Sequence, residues 1–376
     1  MHKVKNVLGV IFIGLFFLIS FLKFQTLNSH SANKNDEKVF KAKIISIEKE
    51  EESQFDNREY ATQWLNVKIT SGELKDREVI VQTGLQPKYK KNSYRESDKI
   101  IIGHLDTGIG EENFYLIGYS RTTPLLVLIL IFITASLLIA RKKGFKSLLG
   151  LTVSMTLLIV FILPAIAQGF NPLLTSILGA GSLIPILFYI SHGFNKKTTA
   201  AVLGTIITFC ITAVMAFIFV NWGKLSGISF EEVETLLYIN DGNFDMQGIL
   251  LSGILLGVLG VIDDIAITQA SIVEELYITD KKISYKDLIS KAMNVGRDHI
   301  GSVINTLLLV YVGGALTTLL LFTEFPRPFE VLINNEIVAI PLVVSLIGSL
   351  GLIIAVPITT IIASWIVINN KKWKKN

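Results

Sequence analysis

Eight apolar stretches punctuate the chain, at residues 7–22, 124–140, 148–167, 172–190, 198–220, 246–268, 299–322 and 337–368. Each is close to the roughly 20 residues that a helix needs to cross a hydrocarbon core of about 30 Å. Of the 376 residues, 51% are hydrophobic and only 18% charged, which is too apolar for an ordinary soluble domain. The chain therefore reads as an α-helical polytopic membrane protein with about eight transmembrane helices, its principal partner the lipid bilayer. Pro124 and Pro172 fall where proline suits the first turn of a helix. Pro164, Pro185, Pro341 and Pro357 lie inside or near the ends of spans, where neighbouring helices can re-satisfy the freed carbonyls. The first stretch follows Lys3 and Lys5 and ends in Ser20-Phe21-Leu22-Lys23, without a small-x-small cleavage site. It is expected to remain as an uncleaved anchor.

Basic residues orient these spans, because inner loops are enriched in Lys and Arg. With the N-terminus inside, the inner segments hold Lys3 and Lys5, then Arg141, Lys142, Lys143 and Lys146, then Lys196 and Lys197. They continue with Lys281, Lys282, Lys286, Lys291 and Arg297, and end with Lys371, Lys372, Lys374 and Lys375. The short outer loops between spans hold only Lys224 and Arg327. The expected location is the cell membrane, with both termini cytoplasmic and residues 24–122 extracytoplasmic. The domains expected are an anchor (1–23), that outer segment (24–122), a seven-helix membrane domain (123–370) and a basic tail (371–376).

The outer segment reads as β. Residues 39–47, 64–70, 78–82, 99–103 and 114–119 are rich in β-branched and aromatic residues, separated by turn signals such as Ser71-Gly72. Five short strands suggest a small barrel of OB type, and the charged stretch 48–57 reads as a solvated loop. A lone cysteine, Cys210, rules out a disulfide scaffold, and no Cys/His spacing suggests zinc. There is no phosphate-binding glycine loop and no GxSxG elbow, so no cofactor, metal, enzyme chemistry or nucleic-acid partner is expected.

Polar residues inside apolar spans are costly and draw attention to function. Gly253, Gly257, Gly260 and Asp264 recur at i, i+4, i+7 and i+11, one face of a helix. Such glycines permit a close helix approach, which would point Asp264 at a packed seam. Asp263, about 100° away around the helix, reads instead as an interfacial charge. Asn294, Asp298, Gly301 and Asn305 form a second stripe of the same period on the next span, flanked by Arg297 and Thr306. Asp264, Asp298, Asn305, Thr306 and Arg297 are therefore the candidate intramembrane polar pathway, and Gly253, Gly257, Gly260 and Gly301 the candidate packing positions. The stripe serves either as hydrogen-bonding glue or as a path for a proton, ion or small polar substrate. Low dielectric disfavours a charged carboxylate, which suits a group that binds and releases a proton. The run Gly179-Ala180-Gly181-Ser182 before Pro185 fits an unwound helix or a tightly packed one, and Gly348, Gly351 and Pro357 share that ambiguity.

From about residue 144 to 364 the chain resembles the YibE/F family of bacterial membrane proteins. The matching blocks are Gly169-Phe170-Asn171-Pro172, Gly193-Phe194-Asn195-Lys196-Lys197, and Gly257 and Gly260 through Asp264. Further blocks are Met293-Asn294-Val295-Gly296-Arg297-Asp298, Gly301 with Asn305-Thr306-Leu307, and Gly348-Ser349-Leu350-Gly351 leading to Val356-Pro357. The family pattern places its acidic residue at Asp264 with an apolar residue before it, so Asp263 departs from it. The resemblance implies a long family member with a soluble domain after its first span, permease-like in class and with no defined substrate. Candidate partners are a second copy of the chain (a homo-oligomer) or, by the resemblance, a shorter family member lacking the outer domain. Residues 257–275, 297–309 and 345–359 are more distantly similar to late helices of SecD/SecF and RND-type exporters, which couple intramembrane polar residues to proton flow.

Two functions follow as expectations: a transporter, permease or exporter component, proton-coupled through these polar residues, or a non-transporting envelope scaffold or assembly factor whose outer domain binds a partner. An intramembrane aspartyl protease is disfavoured, because Gly260-Val261-Ile262-Asp263 is not a GxGD motif.

Overall fold

The computed structural model describes residues 38–55, 58–83, 86–87, 94–106, 112–228, 244–314, 316–324 and 328–369. The expected anchor at 7–22 and the basic tail at 371–376 lie outside these residues. The described residues fall into two compact units, one ending at Arg141 and the other beginning at Lys142.

The first unit holds strands β1 (Lys38–Phe55), β2 (Arg58–Ile69), β3 (Glu78–Gln82), β4 (Gln86–Pro87), β5 (Lys99–Asp106) and β6 (Glu112–Tyr119). Alternation dictates their inner face: Phe40, Ala42 and Ile44 of β1 and Leu65, Val67 and Ile69 of β2 are buried, as are Val81, Ile100 and Ile102. The pairing runs β1-β5-β6-β3-β2, and β2 returns to β1, so the sheet closes on itself. All contacts are antiparallel except the single parallel bridge Gln82↔Tyr115 between β3 and β6. This is the strand order of an OB-type Greek-key barrel. Gly72, at φ 81°, makes the turn after β2 and packs against the Phe40 ring, with no room for a side chain.

The stretch expected as a solvated loop at 48–57 is instead strand on both sides of its tip. β1 continues to Phe55 and pairs with β2 through Glu51↔Thr62 and Glu52↔Ala61. In this ribbon, joined on the β2 side by β4 through Tyr60↔Pro87 and Ala61↔Gln86, residues 48–52 of β1 are all exposed, so charged residues satisfy the ladder and no apolar alternation is required of that strand. Lys49 pairs with Glu51 and lies 5.0 Å from the centre of the Trp64 ring, stiffening the ribbon's base.

Among the described residues, nine α-helical elements follow: α1 (Thr122–Leu157), α2 (Leu163–Ala167), α3 (Pro172–His192), α4 (Lys196–Trp222), α5 (Met246–Thr279), α6 (Tyr285–Gly314), α7 (Leu316–Glu324), α8 (Phe329–Ile333) and α9 (Glu336–Asn369). A π-helical turn, Leu158–Ile162, joins α1 to α2 and takes up the distortion that Pro164 imposes. Five helical runs are long and apolar enough to cross a membrane: Thr122–Ala167, Pro172–His192, Lys196–Trp222, Met246–Thr279 and Glu336–Asn369. The expected spans 124–140 and 148–167 fall together in the first run, divided at Arg141, where φ 49° and ψ −123° break the helix. The expected span 299–322 falls on α6 and α7, and neither qualifies alone, because the first half of α6 is polar and α7 is only 9 residues long.

The short connections are built by one device used twice. Gly169 (φ 89°) ends α2, and Asn171 Oδ1 accepts from Leu174 N at 2.9 Å to cap α3. Gly193 (φ 80°) ends α3, and Asn195 Oδ1 accepts from Thr198 N at 2.8 Å to cap α4. The intervening Phe170 and Phe194 are 62% and 87% exposed, as aromatic residues at a membrane–water boundary would be.

Candidate functional site

The second unit is held together by helices α4, α5, α6 and α9. Near the start of α9, Glu336 accepts from Ser226 N (2.9 Å), Ser226 Oγ (2.9 Å) and Gly227 N (3.2 Å) just past α4. Midway, Gly351 faces Thr212 and Val258, and Gly204 lies against Thr359. These contacts keep one antiparallel register between α4 and α9. Val258 of α5 also meets Gly348, and Gln269 of α5 donates to Thr360 Oγ1 at 2.7 Å, so α5 runs parallel to α9. Gln269 donates as well to Ala292 O of α6 at 2.9 Å, while Lys197 and Glu274 pair at 3.0 Å between α4 and α5.

The interior of this unit is rich in hydroxyls. Ser176, Thr205, Thr208, Ser345, Ser349, Thr359 and Ser364 are buried, and among the described residues their side-chain oxygens have no hydrogen-bond partner. Large apolar side chains point the other way: Leu178, Val214, Phe217, Ile218 and Trp365 are exposed. That distribution suits an apolar solvent and not water.

A cavity of about 350 Å³ opens between the second half of α1, α3 and α5. α1 contributes Ser147, Gly150, Leu151 and Ser154; α3 contributes Leu187, Phe188, Ser191 and His192; α5 contributes Gly260, Asp263, Asp264 and Ile267. Gly150 brings α1 close to α3, since a Cβ there would lie 3.3 Å from Ser191 Oγ. Ser154 Oγ donates to Gly150 O at 3.0 Å, leaving its oxygen able to accept. Asp263 Oδ1 is buried and, among the described residues, has no partner. Two adjacent carboxyl groups, three serines and an imidazole thus face one small space, where a proton or a weakly hydrated cation would find acceptors and a shuttle.

Both aspartates line this cavity, with burial opposite to the expected one: Asp263 is the more enclosed and Asp264 the more exposed. The reason lies in which side chains mark the packed face. Ile254, Leu255, Val258, Leu259, Ile262 and Ala266 form the buried ridge of α5, and glycines of α9 supply the groove that receives it. Gly253, Gly257 and Gly260 are exposed, and among the described residues nothing lies within 4 Å of a Cβ placed at Gly253, Gly260 or Gly301. The expected seam between a glycine-lined helix and the polar stripe of α6 is therefore not assembled within the described chain. α5 and α6 do pack, but through Gln269, Ala292 and Gly296. Asn294, Arg297, Asp298, Gly301, Asn305 and Thr306 are all exposed on α6, away from that contact. Arg297 Nη1 donates to Asn294 Oδ1 at 3.0 Å and Thr306 Oγ1 to Ser302 O at 3.1 Å, both within the helix. Gly179 packs against Ile162 and Leu157 within an unbroken α3, so the Gly-Ala-Gly-Ser run serves packing and does not unwind.

The sequence marks Asp263 only as an interfacial charge, and it does not single out His192 or the three serines. The serines and the histidine come from two separate helices, and no local spacing links them to α5.

An apolar-faced helical bundle with a hydroxyl-rich interior, joined to a small β-barrel, defines a helical membrane-type protein with an appended soluble domain. The chain belongs to the YibE/F-like protein family, whose sequence profile matches residues 128–369, more than half its length. No curated protein and no solved structure matches it, so the likeness to SecD/SecF and RND-type exporters gains no support.

Proposed function

We propose that the chain is a transporter or permease component in which the cavity at Asp263 and Asp264 is the polar site, coupled to proton movement. The observation that carries this reading is the buried, unpartnered Oδ1 of Asp263 facing a serine-lined space inside an apolar helix. Membrane-embedded carboxyls are costly to keep and are characteristically proton or substrate relays. Lysine placement supports eight crossings with both ends inside and the barrel outside. The α1 run would supply two crossings, one on each side of the Arg141 break, and α6 with α7 would supply another. Antiparallel α4 and α9, with α5 parallel to α9, fit that alternation.

A hydrophobic carbodiimide tests the site without knowledge of the substrate, because it modifies protonated carboxyls in apolar surroundings. In native membranes at neutral pH, Asp263 should be modified, and Asp263→Asn should abolish the adduct while the protein inserts at normal abundance. In proteoliposomes enclosing a pH-sensitive dye, an imposed potassium diffusion potential should drive proton uptake that Asp263→Asn and Asp264→Asn eliminate. Wild-type vesicles no different from protein-free ones, or variants equal to wild type, would sink proton coupling.

The barrel favours a second reading, that of an envelope scaffold. A surface groove of about 420 Å³ is lined by Glu48, Asn66, Arg77, Glu78, Val79, Ile80 and Phe114, with Ile80 55% exposed. If this groove holds a partner and the bundle only anchors it, deleting residues 37–119 destroys function while Asp263→Asn and Asn305→Ala remain active.

A further inference from the structure

Among the described residues, nothing covers the polar face of α6 at a depth where lipid cannot solvate it. The contact between Gln269 and Ala292 sets the level of α6 against α5. From there α6 rises about 20 Å to reach Asn305. The same distance back along α5 arrives beside Val258, which packs on Gly348 and Gly351 near the middle of α9. Asn305 and Thr306 therefore lie level with the middle of the apolar helices, and both are exposed. Among the described residues, neither Asp298 nor Asn305 has a hydrogen bond or ion pair to another residue. An unpaired amide at that depth requires protein or enclosed water as its neighbour.

The chemistry of the face identifies its neighbour. Arg297 and Asp298 are adjacent and opposite in charge, so each can pair with the other residue of an identical helix. Asn305 offers both a donor and an acceptor and can therefore pair with its own counterpart. Between them, among the described residues, nothing lies within 4 Å of a Cβ at Gly301, which leaves room for a second backbone. The 7–22 stretch of this chain holds no charged residue, and Lys3 and Lys5 just before it could match Asp298 but not Arg297, whereas an identical helix matches both.

We propose that this face of α6 is the interface between two copies of the chain, related by a two-fold axis along the membrane normal. Identical helices then cross in parallel, with Gly301 against Gly301, Asn305 against Asn305, and Arg297 and Asp298 paired reciprocally.

The chain's one cysteine makes the test direct. In a Cys210→Ser background, Gly301→Cys and Asn305→Cys should give a disulfide-linked dimer when native membranes are oxidised. Phe217→Cys, exposed on α4, should stay monomeric. Arg297→Asp should remove most of the dimer band from Gly301→Cys, and the double exchange Arg297→Asp with Asp298→Arg should restore it. Monomer from both α6 cysteines overturns the proposal. So does an intrachain link between Gly301→Cys and Gly14→Cys, which would show the first apolar stretch covering the face. A double exchange that inserts normally without restoring the band also overturns it.

Discussion

The barrel and the bundle both bury an apolar core, but they differ in what is buried beside it and in what faces out. In the barrel, Leu65, Val67, Ile69, Ile100 and Ile102 are fully buried, and charged residues occupy the alternate positions that face out. In the bundle, Thr198, Thr205, Thr208, Thr212, Thr359, Thr360 and Ser364 are fully buried, while Leu and Phe side chains crowd the outside. Burying apolar area stabilises by about 25 cal/mol per Å² only against water. The barrel's core is therefore its main source of stability. The bundle needs a different one: close backbone approach at Gly204 and Gly351, with hydrogen bonds such as those of Gln269. A single chain is thus folded against two solvents, and each unit reports its own.

Truncating a leucine in each region is the strongest way to break that contrast. Leu65 is fully buried in the barrel, so Leu65→Ala should cost about 2–5 kcal/mol. The readout is protease resistance of the barrel in the intact protein. Leu178 in α3 is 71% exposed, and Leu178→Ala should leave stability within about 0.5 kcal/mol. Equal losses would show that this face of α3 is packed against protein. Overpacking probes the bundle in turn. A Cβ at Gly204 would lie 3.2 Å from the Thr359 Cα, so Gly204→Val forces α4 from α9 and should cost roughly 3 kcal/mol. Gly253→Val has open space and should be tolerated within about 0.5 kcal/mol, unless a partner helix covers that face. Thermal unfolding in detergent separates these variants.

Gln269→Leu comes next in size. Its amide donates to both Ala292 O and Thr360 Oγ1 at the junction of α5, α6 and α9. Losing both bonds should cost about 1–2 kcal/mol, read from thermal unfolding in detergent. Its effect should combine non-additively with that of Gly296→Val, because a Cβ at Gly296 would meet the same amide at 3.0–3.2 Å.

The barrel's strands were legible because period-two alternation in a water-facing sheet is written residue by residue. The extension of β1 at 48–55 was not, since residues 48–52 are exposed on both faces of that strand and nothing forces them to alternate. In the bundle, Gly169-Phe170-Asn171 and Gly193-Phe194-Asn195 stood out by resemblance, and the structure gives their physical role as stop-and-cap devices. The packed face of α5 was misread because glycine stripes mark close approach only when a ridge fills them. Here the filled glycines are Gly348 and Gly351 on α9, while among the described residues nothing lies within 4 Å of a Cβ at Gly253 or Gly260 of α5. Asp263 could be ranked above Asp264 only once α1 and α3 were in place, since their serines and His192 define the cavity.

Ion pairs give the smallest and subtlest version of the contrast. Lys68 Nζ lies 3.0 Å from Asp76 Oδ1 on the barrel surface, and Lys197 Nζ lies 3.0 Å from Glu274 Oε2 in the bundle. The hydrogen bond and charge of Lys68, aided by Lys75, hold the Asp76 carboxyl below its ordinary value of 3.8. The folded state then binds fewer protons than the unfolded one just below that value. The pair's contribution is therefore present above the unfolded pKa and lost as pH falls through the folded one. Because Asp76 is solvent-exposed, salt should screen the effect. Carboxyl NMR titration should show Asp76 returning towards 3.8 in Lys68→Met or at high salt. The Lys197–Glu274 side chains are only 27% and 19% exposed, so salt should barely weaken that link between α4 and α5. Equal salt sensitivity of the two pairs, read from Lys68→Met and Lys197→Met unfolding in low and high salt, would show that both units present their charges to the same aqueous surface.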